Sequence, residues 1–156
     1  MTKTRMYTVF ISLLTLTGIA CTQANPASKE GPPEGWLTNY EQALSEAKEQ
    51  NKPILIEFTG SDWCPPCMRL EREVLSTDTF KAFAGDSLVL LYVDFPRRKQ
   101  LSEEQTAHNN NLAKQYGIQY FPTVFVLDSS GKVISQIQYQ GGGPDPFIAS
   151  IKKALQ

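Results

Sequence analysis

Two cysteines three residues apart, Cys64 and Cys67, lie in the run Trp63-Cys64-Pro65-Pro66-Cys67. On a first helical turn, sulfurs at i and i+3 approach closely enough to bridge. The leading thiol at a helix N-terminus faces unpaired backbone N–H groups and the positive end of the helix dipole, which lower its pKa. A thiolate is the species that attacks a disulfide. Pro65 and Pro66 suit a first turn, whose N–H groups lack intrahelical partners anyway. They also remove two donors from around Cys64, so its thiolate must lean on the Cys67 N–H, the Cys67 thiol and the dipole. Neither intervening residue adds positive charge, which implies a moderately lowered Cys64 pKa and a reducing or intermediate potential.

The elements around this pair must hold it at a strand-to-helix junction. Pro53–Phe58 is a short, mostly apolar run, as expected of a strand covered on both sides. A helix is expected from about Cys64 through Leu70 to Leu75, and a second buried strand over Ser87–Asp94. Upstream, Thr38-Asn39-Tyr40-Glu41 reads as a capping box, with Tyr40, Ala43, Leu44 and Ala47 on one helical face. Downstream, Ser102 to Gln105 caps a helix that stops at Tyr116-Gly117. Thr123–Leu127 and Lys132–Ile137 form a hairpin about Asp128–Gly131. A loop over Gly141–Pro144 precedes a final helix through Leu155, with Asp145 as its cap and Pro146 in its first turn. The predicted order is αβαβα followed by ββα.

The chain has 156 residues and a formal charge of −1, with three cysteines. That is room for one domain with a real core. The charge gives no reason to expect nucleic acid or an anionic membrane surface as partner, and three cysteines are too few for a disulfide-stapled scaffold. Residues 1–20 read as a secretory signal: Lys3 and Arg5 open it, and the apolar run Val9–Ala20 is too short to span a bilayer. Its removal takes two positive charges and no acid, leaving −3. Gly18-Ile19-Ala20-Cys21 is similar to a lipoprotein box, with Gly18 where leucine is usual. Cys21 is thus a lipidation candidate, and ordinary cleavage after Ala20 or Ala24 is the alternative. Residues 21–35 read as a flexible tether and 36–156 as the folded domain, located outside the cytoplasm as a periplasmic or lipid-anchored protein.

Trp63-Cys64-Pro65-Pro66-Cys67 after a strand, with Tyr120-Phe121-Pro122-Thr123 opening a later one, resembles the thioredoxin superfamily. Lys52-Pro53-Ile54 and Gly60–Cys64 resemble its exported bacterial branch, and the likeness covers Trp36–Leu155. The resemblance implies an α/β thioredoxin fold: a central mixed four-stranded sheet flanked by helices, ordered second, first, third, fourth core strand, with an extra N-terminal helix. It also implies a cis Pro122 facing the active-site disulfide, and no cofactor beyond the redox-active pair. Partners would be disulfide-containing exported proteins and an upstream thiol donor, which resets the pair in an oxidising compartment. Cys-Pro-Pro-Cys is further similar to tryparedoxins and cytochrome-maturation thioredoxins, mostly reductants. Three features depart from ordinary thioredoxin. Pro-Pro replaces Gly-Pro, one extra residue separates Phe58 from Trp63, and Phe95–Ala107 is longer and carries Arg97-Arg98-Lys99.

Other residues admit two readings each. Glu57 is either a buried acid that shuttles a proton to Cys67 or a strand residue pointing elsewhere. Trp63 shields the thiolate, covers the core edge, or does both. The Phe95–Ala107 segment reads as a solvated loop in preference to a partner site, His108 as a solvated side chain, and Asn109–Asn111 as a polar helix patch. Gly141–Gly143 either lets a partner backbone approach the Pro122 face or is a plain loop. Three function classes compete: a thiol–disulfide reductase or interchange enzyme, an oxidase or isomerase on the same site, and a metal-binding or structural module. Zinc wants four ligands. One cysteine pair and a distant lone His108 do not supply them, so no metal is expected.

Overall fold

The computed structural model describes residues 31–156; the expected signal segment, Cys21 and most of the expected tether lie outside them. Two layers of helices flank one mixed sheet. Its strands are β1 (Trp36–Leu37), β2 (Ile54–Thr59), β3 (Val89–Asp94), β4 (Thr123–Leu127) and β5 (Val133–Ile137), in the spatial order β1-β3-β2-β4-β5. β2 pairs parallel with β3 and antiparallel with β4, and β4 pairs antiparallel with β5. The four core strands lie in the expected order. The sheet nevertheless has five strands, because Trp36 and Leu37 pair parallel with Leu90 and Leu91 at the β3 edge. A two-residue strand carries too little alternation to be read from sequence.

The helices are α1 (Tyr40–Gln50), α2 (Pro65–Leu70), α3 (Asp78–Ser87), α4 (Glu103–Gln115) and α5 (Pro144–Ala154). The alternation of β2 divides the core. Ile54, Ile56 and Phe58 pack with Tyr40, Ala47 and Leu112 on the α1/α4 side. Leu55 packs with Leu70, Phe80 and Ile151 on the side of α2, α3 and α5. Glu57, two residues beyond Leu55, therefore faces the α2 side.

Several local expectations need correction. The cap of α1 is Asn39 rather than Thr38: its side chain accepts from Gln42 N at 2.8 Å. The helix carrying the cysteines does not run uniformly to Leu75, since Glu71–Leu75 is a π-helical turn closed by Ser76 N to Glu71 O at 2.9 Å. Thr77 then caps the unforeseen α3, which takes up Ser87 and leaves β3 to begin at Val89. The last helix starts two residues early, at Pro144 with Gly143 rather than Asp145 as its cap, where Gly141, Gly142 and Gly143 all have positive φ (93°, 90° and 78°) and turn the chain sooner.

Candidate active site

The site begins where β2 ends. Gly60 O accepts from Cys64 N at 2.9 Å, turning the chain into α2. Cys64 is the extended N-cap residue, and Pro65 and Pro66 occupy the first helical turn. Cys64 and Cys67 are joined as a disulfide, with Cα atoms 5.3 Å apart. Cys67 N–H donates to Cys64 Sγ at 3.3 Å, the donor left once the two prolines have removed theirs. Both cysteines are buried, Cys64 at 3 % exposure and Cys67 at 1 %, so a partner must reach the pair at close quarters.

Trp63 covers the approach. Its indole N–H donates to Phe95 O at 2.7 Å, and its ring meets Phe121 edge-on at 6.0 Å. The ring lies so close to Gly60 that a Cβ there would sit 2.6 Å from Trp63 Cε2; glycine is required for this approach. The Phe121–Pro122 peptide is cis. Pro122 and Pro66 line one cavity of about 390 Å³ with Tyr139 and Gly141, and the half-exposed Tyr120 forms its rim.

Behind the pair lies a carboxyl cluster. Glu57 is 1 % exposed, and neither of its oxygens has a hydrogen-bond partner. Burial pushes its pKa up to about 8, with the Glu71 and Asp94 carboxylates adding to the rise. Glu57 pairs across the sheet with Tyr92, and Tyr92, Thr59, Cys67 and Glu71 line a cavity of about 320 Å³. Glu71 is itself raised by burial, opposed by Lys81, and its Oε2 is buried and unpaired. Sequence reading missed Glu71. A carboxylate seven residues after Cys64 carries no motif; it lies one helical turn beyond Cys67, and only the packing of α2 on β2 brings it near Glu57. No group of three or more metal-ligating side chains occurs among the described residues.

The segment after β3 is an exposed loop at residues 97–100, as expected, but its backbone is anchored to the turn before Cys64. Asp94 accepts from Ser61 N at 2.9 Å and from Ser61 Oγ at 2.6 Å. Asp62 accepts from the backbone N–H groups of Arg97, Arg98 and Lys99 at 2.9, 2.7 and 3.1 Å, and these bonds hold its pKa below the usual carboxylate range. The Arg97 guanidinium stacks 3.7 Å from the Trp63 ring centroid. Asn109, expected on a polar surface patch, is 2 % exposed and donates from Nδ2 to Asp94 O at 2.7 Å. His108, expected in solvent, is half-buried and accepts from Tyr40 N at 3.3 Å across to α1. These partners are 15 and 68 residues away in sequence, beyond any local pattern.

A family model described as thioredoxin-like matches residues 35–129. The chain belongs to the thioredoxin-like family. It is 36 % identical over 118 residues to the disulfide bond reductase DsbH of Chlamydia pneumoniae, covering 76 % of this chain and 71 % of that protein. The thioredoxin-related protein DsbJ of the same organism is 29 % identical over 102 residues, 65 % of this chain and 29 % of DsbJ. Among solved structures, the DsbH oxidoreductase superposes with a TM-score of 0.72 at 32 % identity, covering 85 % of this chain and 94 % of that one. With the Cys64–Cys67 disulfide, these likenesses make this thioredoxin-like chain a thiol–disulfide oxidoreductase.

Proposed function

We propose that this protein is an exported protein-disulfide reductase in which Cys64 attacks and Cys67 resolves. The observation that carries the reading is the asymmetry of the pair: Cys64 caps α2 and accepts the Cys67 N–H, whereas Cys67 lies inside the helix beside the carboxyl-lined cavity. In the dithiol form the Cys64 thiolate attacks a substrate disulfide. An S–S bond forms between Cys64 and the substrate as the substrate's own bond breaks, and the departing thiolate takes up a proton. Cys67 then loses its proton and attacks the Cys64 sulfur, releasing the second substrate thiolate, which is protonated in turn. Two electrons and two protons pass to the substrate, and the pair ends as the disulfide. Glu57, in its ionised form and in concert with Glu71, takes the Cys67 proton. A carboxyl poised near 8 accepts a proton from a thiol of ordinary pKa without a large mismatch. Trp63, Pro65, Pro66 and Pro122 frame the sulfurs.

The name of the Chlamydia relative supports the reductive direction, as does the absence of a cation at positions 65 and 66. The substrates are disulfides of exported proteins, and an upstream dithiol protein returns the two electrons. No further cofactor is required, since the pair itself carries them. Residues 1–20 direct export, with Cys21 as the site of lipid attachment and residues 21–35 as the tether. Expressing Cys67→Ser in the host tests the assignment. It accumulates proteins covalently trapped on Cys64, while Cys64→Ser traps none and fails to reduce insulin. Trapping on Cys67 in the Cys64→Ser variant would reverse the roles.

A further inference from the structure

The segment joining β3 to α4 puts three cations at the mouth of an otherwise acidic chain. Six hydrogen bonds tie it to the three residues before Cys64: two from Ser61 to Asp94, one from Trp63 to Phe95 O, and three from the N–H groups of residues 97–99 to Asp62. The Asp62 carboxylate is engaged by backbone donors, so it fixes where the segment runs. The side chains of Arg97, Arg98 and Lys99 remain exposed. None of the three forms an ion pair among the described residues, where both ion pairs join Arg69 and Arg72 to Glu73. Arg97 lies against the Trp63 ring, one residue from Cys64. Arg98 and Lys99 flank a groove of about 600 Å³ that extends past Tyr92 to Thr38 and Gln105.

We infer that this strap is the docking edge for an acidic segment of the disulfide partner, a deepening that rests on the function proposed above. Three cations that form no ion pair among the described residues, on a backbone anchored beside a redox pair, are complementary to carboxylates, and a groove at their side gives an extended peptide somewhere to lie. Charge complementarity of this kind sets partner choice and encounter rate more than gross affinity. The backbone N–H bonds to Asp62 do not depend on which side chains residues 98 and 99 carry. The cations can therefore be reversed while the strap keeps its anchor.

The test uses the full chain in its dithiol form and two disulfide-bridged peptides of equal length, flanked by glutamates in one and by lysines in the other. The ratio of their rate constants is read within each protein, so a general loss of activity cancels. The acidic peptide is expected to react about 3- to 10-fold faster with the wild type at low ionic strength, and the advantage should fade toward about 0.5 M salt. The double variant R98E/K99E, with its fold checked by thermal denaturation, should invert the ratio. A wild-type ratio near one, or a preference that survives the double reversal, overturns the docking edge and leaves the oxidoreductase standing. The docking edge is equally overturned if the ratio is flat while binding to phosphatidylserine vesicles is lost in R98E/K99E, because the cations would then serve a lipid surface. Failure to reduce either peptide overturns the underlying function instead.

Discussion

Glu57 is a buried carboxyl without a hydrogen bond, and its effect on stability has a definite sign. Its folded pKa, about 8, lies above the ordinary 4.5. Below pH 4.5 folded and unfolded chains both hold the proton and nothing is lost. As pH rises toward 8 the unfolded chain gives up its proton first, so stability falls through that window and levels off above it. The oxidised wild type is therefore expected to lose thermal stability between pH 4.5 and 8, and Glu57→Gln to show a shallower slope, read by calorimetry across that range. Equal slopes would remove Glu57 as the responsible group. At Gly60 the constraint is steric. Gly60→Ala places a Cβ against the Trp63 ring and should shift the indole N–H resonance as its bond to Phe95 O breaks, with a fall in kcat/KM for protein disulfides. An unchanged resonance would mean that the ring tolerates the methyl group. The Cys64–Cys67 bridge at a helix start was legible in the sequence because spacing, caps and prolines act within one turn. Glu71, Asn109 and His108 were not, because each takes its role from a partner on another element.

At the scale of elements, the site is held by a relay from α4 to α2. Asn109 on α4 bonds the last residue of β3, Asp94 bonds Ser61, and Ser61 lies three residues before Cys64. Asn109→Leu leaves the Asp94 carbonyl without its donor and should cost about 1–3 kcal/mol in denaturant unfolding. The same variant should slow disulfide reduction, as the β3 end loosens its grip on the strap. A loss within error of zero would show that solvent replaces the amide there. β2, β4, β5, α4 and the hairpin were readable from period and turn residues. The break into a π-turn after Leu70 was not. Val74 and Leu75 of that turn are core residues, and Glu71–Leu75 alone looks like ordinary helix.

For the whole molecule, the succession of elements followed from the alternation of apolar runs and helices, and the fold class and the spatial order of the core strands from the family resemblance. The fifth strand and α3 came only with the structure. Anchoring belongs to this scale too. Lipidation of Cys21 predicts that the full-length protein partitions into detergent with the membrane fraction and that Cys21→Ala releases it; a mature protein starting at Asn25 by mass spectrometry would contradict it. The central claim, a reductase built on Cys64 and Cys67, is tested most directly by the reduction potential of the pair. A dithiol becomes oxidising when its thiolate is specially stabilised. Here two prolines leave Cys64 the Cys67 N–H and the helix dipole, and no cation stands between the cysteines. Equilibration with glutathione, followed by quantifying the oxidised fraction, should give roughly −200 to −270 mV, the range from glutaredoxin to thioredoxin. A value near −120 mV, that of a strong disulfide donor, would contradict the reductase and favour an oxidase on the same site.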